Sequence, residues 1–111
     1  MISIEKRDKI DIVTFSEKKI NALVSDEIRD SINKVFDVPG TKLIIDLSGV
    51  EFIDSSGFGC FLSVRRAAGN NYGSLKFANA GDRVKELFKI LHLHTILDVY
   101  DGVEECIESF K

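Results

Sequence analysis

The densest chemistry in this sequence lies in four consecutive residues, Asp54-Ser55-Ser56-Gly57. A serine at the start of a helix presents its hydroxyl beside backbone N–H groups that have no partner inside the helix, where a phosphate is accommodated. The same position suits a serine whose side chain caps the helix, and the residues alone leave both roles open. A hydrolase nucleophile also sits on a strand-to-helix turn, but its Gly-x-Ser-x-Gly pattern needs glycine where Ile53 stands. Gly57 and Gly59 start the Gly-x-Gly-x-x-Gly spacing of a nucleotide loop, and Leu62 breaks it. His92 and His94 could share a face, yet no cysteine or acidic third ligand accompanies them in sequence, so no metal site is implied. Cys60 and Cys106 lie in apolar patterns without a Cys-x-x-Cys spacing, which fits buried free thiols better than a disulfide. No catalytic residue and no cofactor is expected.

The elements that must carry this turn follow from periodicity. Ile2 and Ile4, then Ile10, Ile12, Val13 and Phe15, read as a hairpin. Val24, Ile28, Ile32, Val35 and Phe36 form a helical stripe that Ser25 could cap, ended by Pro39-Gly40. Leu43-Ile44-Ile45-Asp46-Leu47 is the near-continuous apolar run of a central strand covered on both faces. A second helix runs from the serine turn to Ala68, closed by Gly69-Asn70-Asn71. Leu75 and Phe77 mark another strand, and Val84, Leu87, Phe88 and Leu91 a third helix opened by Asp82. Ile96 to Tyr100 reads as a last strand, and Val103, Cys106, Ile107 and Phe110 as a last helix. The order β-β-α-β-α-β-α-β-α predicts an α/β fold: one mixed, mostly parallel sheet of about five strands, flanked by about four helices.

On a helical wheel Gly57, Cys60, Phe61, Val64, Ala67 and Ala68 of the second helix form the core sector. Phe58 and Leu62 fall outside it, with Arg65 and Arg66 nearby, an arrangement that reads as an apolar patch with a charged rim and hence a partner-binding surface.

Composition sets the wider limits. With 111 residues the chain has the size of one domain, spanning 1–111. Fifteen Lys+Arg against eighteen Asp+Glu give a net charge of −3, the wrong sign for neutralising phosphate backbones, so nucleic acid is not an expected partner. No stretch approaches the roughly 20 apolar residues of a membrane span, and the charged start has no secretory core, so a cytoplasmic location without membrane insertion is expected.

The run Leu47-Ser48-Gly49-Val50-Glu51-Phe52-Ile53-Asp54-Ser55-Ser56-Gly57-Phe58-Gly59 resembles the signature of STAS domains, especially bacterial anti-sigma factor antagonists. The resemblance extends over nearly the whole chain, through Val84-Lys85-Glu86-Leu87-Phe88 to Leu93 and Ile96. It implies that Ser55, the first serine of the turn formed with Asp54, Ser56 and Gly57, is phosphorylated by a partner kinase that is also the anti-sigma factor. It further implies a PP2C-like phosphatase that reverses the mark. Asn21 stands where the family often has Asp, in the loop entering the first helix near the turn, and the resemblance implies that it belongs to the partner-binding surface. Phe58 stands in place of leucine and Cys60 in place of a small aliphatic residue. His92 replaces a glycine at the end of the third helix, which implies a left-handed conformation there. The expected function is that of an antagonist binding its anti-sigma factor when unphosphorylated. A stand-alone STAS subunit of a lipid-handling ABC transporter, docked on the ATPase without phosphorylation, is the alternative.

Overall fold

A computed structural model describes residues 2–111. The hairpin opens it, with β1 over Ile2–Arg7 and β2 over Ile10–Phe15 paired antiparallel from Ile2↔Phe15 to Arg7↔Ile10. A two-residue strand β3, Lys19–Ile20, precedes helix α1, Ala22–Val35. Strand β4, Lys42–Asp46, is followed by the two-residue β5, Phe52–Ile53, and by helix α2, Ser55–Asn70. Strand β6, Ser74–Ala78, leads to helix α3, Asp82–Ile90, and a 3₁₀ turn at Leu93–Thr95. Strand β7, Val99–Tyr100, and helix α4, Val103–Ser109, complete the described residues. Strand β7 occupies only the end of the run read as a strand from Ile96, because Ile96 and Leu97 follow the 3₁₀ turn directly and their N–H groups donate back to Leu93 O.

The main sheet has the order β1-β2-β4-β6-β7, parallel at every pairing except the hairpin. Strand β4 is central, and its alternation shows why its sequence is apolar throughout. Leu43 and Ile45 enter a large cluster with Ile28, Ile32, Phe61, Val64, Val84 and Phe88 from α1, α2 and α3. Ile44 faces the other way, into a smaller cluster with Ile10, Ile12, Ala78 and the α4 residues Cys106 and Ile107. Three helices therefore cover one face and α4 part of the other, and both cysteines are buried free thiols on opposite sides of the sheet. Burial pushes each thiol up to about 11, which keeps it protonated and unreactive near neutral pH.

Periodicity gives no sign of the parallel pair β3–β5, Lys19↔Phe52 and Ile20↔Ile53. This small sheet joins the loop before α1 to the loop before α2, and so brings the entries of the two helices together.

Candidate functional site

The segment between β4 and α2 is fixed at both ends. Asp46 Oδ1 accepts hydrogen bonds from Ser48 N at 2.9 Å, Ser48 Oγ at 2.6 Å and Asn79 Nδ2 at 3.0 Å. Further on, Glu51 N and Phe52 N donate to Lys18 O, and Asp54 N donates to Ile20 O at 3.1 Å. The chain reaches α2 in an extended conformation at Asp54, whose side chain accepts from Gly57 N at 3.0 Å. Asp54 is therefore the cap, and the capping role open to Ser55 in the sequence is corrected: Ser55 is the first residue of the helix. Among the described residues no hydrogen bond engages the Ser55 hydroxyl, and the residue is exposed.

Gly57 belongs to this geometry for a steric reason. A β-carbon there would lie 2.6 Å from Ile53 Cγ2 and 2.9 Å from Ile20 O, so only glycine lets the first turn of α2 rest on the β3–β5 pair. Ser56, half-buried, turns toward α1. It lines a groove of about 300 Å³ with Ala22, Asp26, Arg29, Gly59 and Ser63.

The entry to α1 differs from the reading that gave its cap to Ser25. Asn21 is the cap, its Oδ1 accepting from Leu23 N at 3.0 Å, whereas Ser25 is buried inside the helix against α2. Starting α1 at Ala22, which lines the groove, leaves the next residue, Leu23, 92% exposed. Leu23 lies off the apolar stripe of its helix, which was the one sequence signal that could have singled it out. Asn21 thus lies next to the serine turn, as the resemblance implied, and its side chain is committed to capping.

The partner surface read from Phe58 and Leu62 needs correction. Phe58 is 3% exposed and meets Phe88 edge-on, with ring centroids 5.1 Å apart. Leu62 is half-buried and packs on the large cluster. The wheel treats α2 as covered on one side only, but α3 covers a second flank and brings Phe88 onto Phe58. Arg65 and Arg66 are exposed, as a charged rim would be, and form no ion pair among the described residues.

On the far side of the turn Arg83 of α3 lies 5.3 Å over the Phe52 ring, a cation–π contact between residues that no spacing pattern links. At the other end of α3, His92 adopts the left-handed conformation at φ 58°, as its glycine-like place implied. The His92 and His94 rings are 6.4 Å apart, and no third metal-ligating side chain joins them among the described residues. No described helix is long and apolar enough to cross a membrane.

The N-terminal end of α2 is solvent-accessible and has the partial positive charge of a helix start. A free serine hydroxyl stands on the positive end of a 16-residue helix, with an ordered approach and no catalytic base hydrogen-bonded to it.

Known proteins match this chain over nearly all its length. An anti-sigma-B factor antagonist of Listeria monocytogenes is 28% identical over 98 residues, 88% of this chain and 86% of that protein. An anti-sigma-factor antagonist (STAS) domain protein from Planctomyces limnophilus superposes with a TM-score of 0.89 at 16% identity, covering 97% of this chain and 96% of its own. The Bacillus cell fate determinant SpoIIAA, solved in its phosphorylated form, superposes over the whole of both chains with a TM-score of 0.73 at 19% identity. The STAS domain model matches residues 1–106. With the sheet order, the Asp54-capped helix and the serine turn in place, the chain belongs to the STAS domain family.

Proposed function

We propose that this protein is an anti-sigma factor antagonist whose binding is switched off by phosphorylation of Ser55. The observation that carries this reading is the exposed, unbonded Ser55 hydroxyl at the first position of α2, held by a cap that belongs to a different residue. The names of the Listeria and Planctomyces proteins and the phosphorylated form of SpoIIAA support it.

In the reaction, the Ser55 Oγ attacks the γ-phosphorus of ATP held by the partner kinase, which is also the anti-sigma factor. The Oγ–P bond forms, the bond to ADP breaks, and the hydroxyl proton leaves to the kinase or solvent. A PP2C-like phosphatase returns the serine by hydrolysis. The new group brings nearly two negative charges, and the N–H groups of Ser55 and Ser56 receive it without rebuilding the helix. Against a partner surface the same charge, next to Asp54, is an unpaired dianion that must be desolvated. The partner covers the exposed groove between α1 and α2, with Leu23 as its apolar anchor in place of Phe58.

The test is incubation with the anti-sigma factor kinase of the same genome and ATP. One phosphate is expected, mapped to Ser55 by mass spectrometry and lost in Ser55→Ala, with affinity for the kinase falling at least ~100-fold, or about 2.7 kcal/mol, on modification. Modification at Ser56 instead, or unchanged affinity after full modification, rejects the reading.

A further inference from the structure

Strand β6 is bonded to β4 along its whole length, from Ser74 to Ala78, but to β7 only at Phe77 and Ala78. Its amide directions alternate in the usual way of a parallel ladder. Ser74 N donates to Thr41 O on the β4 side, while Phe77 N and Asn79 N donate to Asp98 O and Tyr100 O on the β7 side. By that alternation the N–H and C=O of Leu75 point away from β4, where β7 has not yet begun. One more step of the ladder would bring in Ile96 O and Asp98 N. The 3₁₀ turn prevents it, because Ile96 N and Leu97 N both turn back to Leu93 O.

The open side of Leu75 is a recess of about 320 Å³ whose walls include Arg65, Gly69, Leu75, Ile96 and Asp98. Its apolar part is the half-buried Leu75 with Ile96, which is 46% exposed. Arg65 supplies a cation with no ion pair among the described residues. Lys76 does not compete for an anion there. Its ammonium lies on the opposite face of the sheet, 2.8 Å from Ser109 Oγ and 4.3 Å over the Phe110 ring. Asp98 makes the β7 side of the recess unfavourable for an acidic group, which restricts such a group to the α2 side, at Arg65.

We propose that this edge is a second docking site, taken by an extended, acidic segment of a partner protein that adds to the sheet as a short strand beside Leu75. Unpaired main-chain groups supply the register, Ile96 and Leu75 the apolar contact, and Arg65 the preference for a carboxylate. Ten residues of α2 separate Arg65 from Ser55, about 15 Å of helix, and the two positions lie toward opposite ends of the parallel strands. Docking at β6 is therefore independent of the state of Ser55.

The probe is a capped pentapeptide, acetyl-Glu-Val-Glu-Val-Glu-amide, titrated into the ¹⁵N-labelled full chain. The amide signals of Leu75 and Asp98 are expected to shift most and to saturate. Arg65→Glu should weaken binding at least tenfold, and N-methylation of the two peptide valines should abolish it. Ser55→Asp should leave it unchanged within twofold. The proposal is overturned if neither amide moves at millimolar peptide, or if the N-methylated peptide binds equally well, which would mean charge attraction alone. It is also overturned if sedimentation shows a dimer whose dissociation exposes the Leu75 amide, since the edge would then belong to a second copy.

Discussion

At Gly57 and Gly59 two glycines two positions apart in the same helix meet opposite surroundings, and they are expected to respond oppositely to the same substitution. A β-carbon at Gly57 collides with Ile53 and with the Ile20 carbonyl, backbone that cannot yield easily. Gly57→Ala should therefore cost about 1–3 kcal/mol, as overpacking does. A β-carbon at Gly59 meets nothing within 4 Å, so Gly59→Ala should gain about 0.5–1 kcal/mol from the better helix former. Urea midpoints of the two variants decide the matter, and equal signs would contradict the packing described. The helical wheel separates the two, with Gly57 on the core sector and Gly59 off it, but gives no measure of how closely Ile53 and the Ile20 carbonyl approach. Ser55 and Asp54 show a similar limit: neighbouring residues of suitable type could each cap the helix, and only the backbone conformation at Asp54 decides between them.

At the scale of elements, the strands and helices with at least five or six residues were legible because their apolar spacing has room to repeat. Leu43 to Asp46 announced a doubly covered strand, and Ile28 and Ile32 a helix face, because burial acts on each residue separately. The pair β3–β5 was not legible, since two residues carry no period and their pairing joins segments more than thirty residues apart. Phe58 was misplaced because a wheel has no knowledge of α3. With that contact known, Phe58→Ala should cost about 3–5 kcal/mol in thermal or urea unfolding, while Leu23→Ala should fall within about 0.5 kcal/mol of the parent. The hairpin was legible but its turn was not: Asp8 and Lys9 both have positive φ, 51° and 67°, the type I′ arrangement that favours Asn-Gly. Lys9→Gly should stabilise the domain by about 1 kcal/mol, read as a raised melting temperature.

For the molecule as a whole, the sheet separates two thiols that respond alike to pH. Below about pH 9 folded and unfolded chains both keep these protons, and the thiols contribute no slope. Between 9 and about 11 the unfolded chain releases protons that burial makes the folded chain retain, so stability falls as pH rises through this window. A Cys60→Ala, Cys106→Ala double variant should lose less stability over that window than the parent, measured by urea unfolding at pH 8, 9 and 10.5. The sheet order β1-β2-β4-β6-β7 has a consequence for how such a chain comes into being. Within this sheet each strand lies against the sheet strand synthesised before it, so no strand has to be inserted between two that are already paired. The hairpin, made of local contacts, can form while the rest is still emerging from the ribosome, and every later strand finds its neighbour waiting. A protein built in this way grows at one edge as it is made, and the last edge to close is the one beside β6.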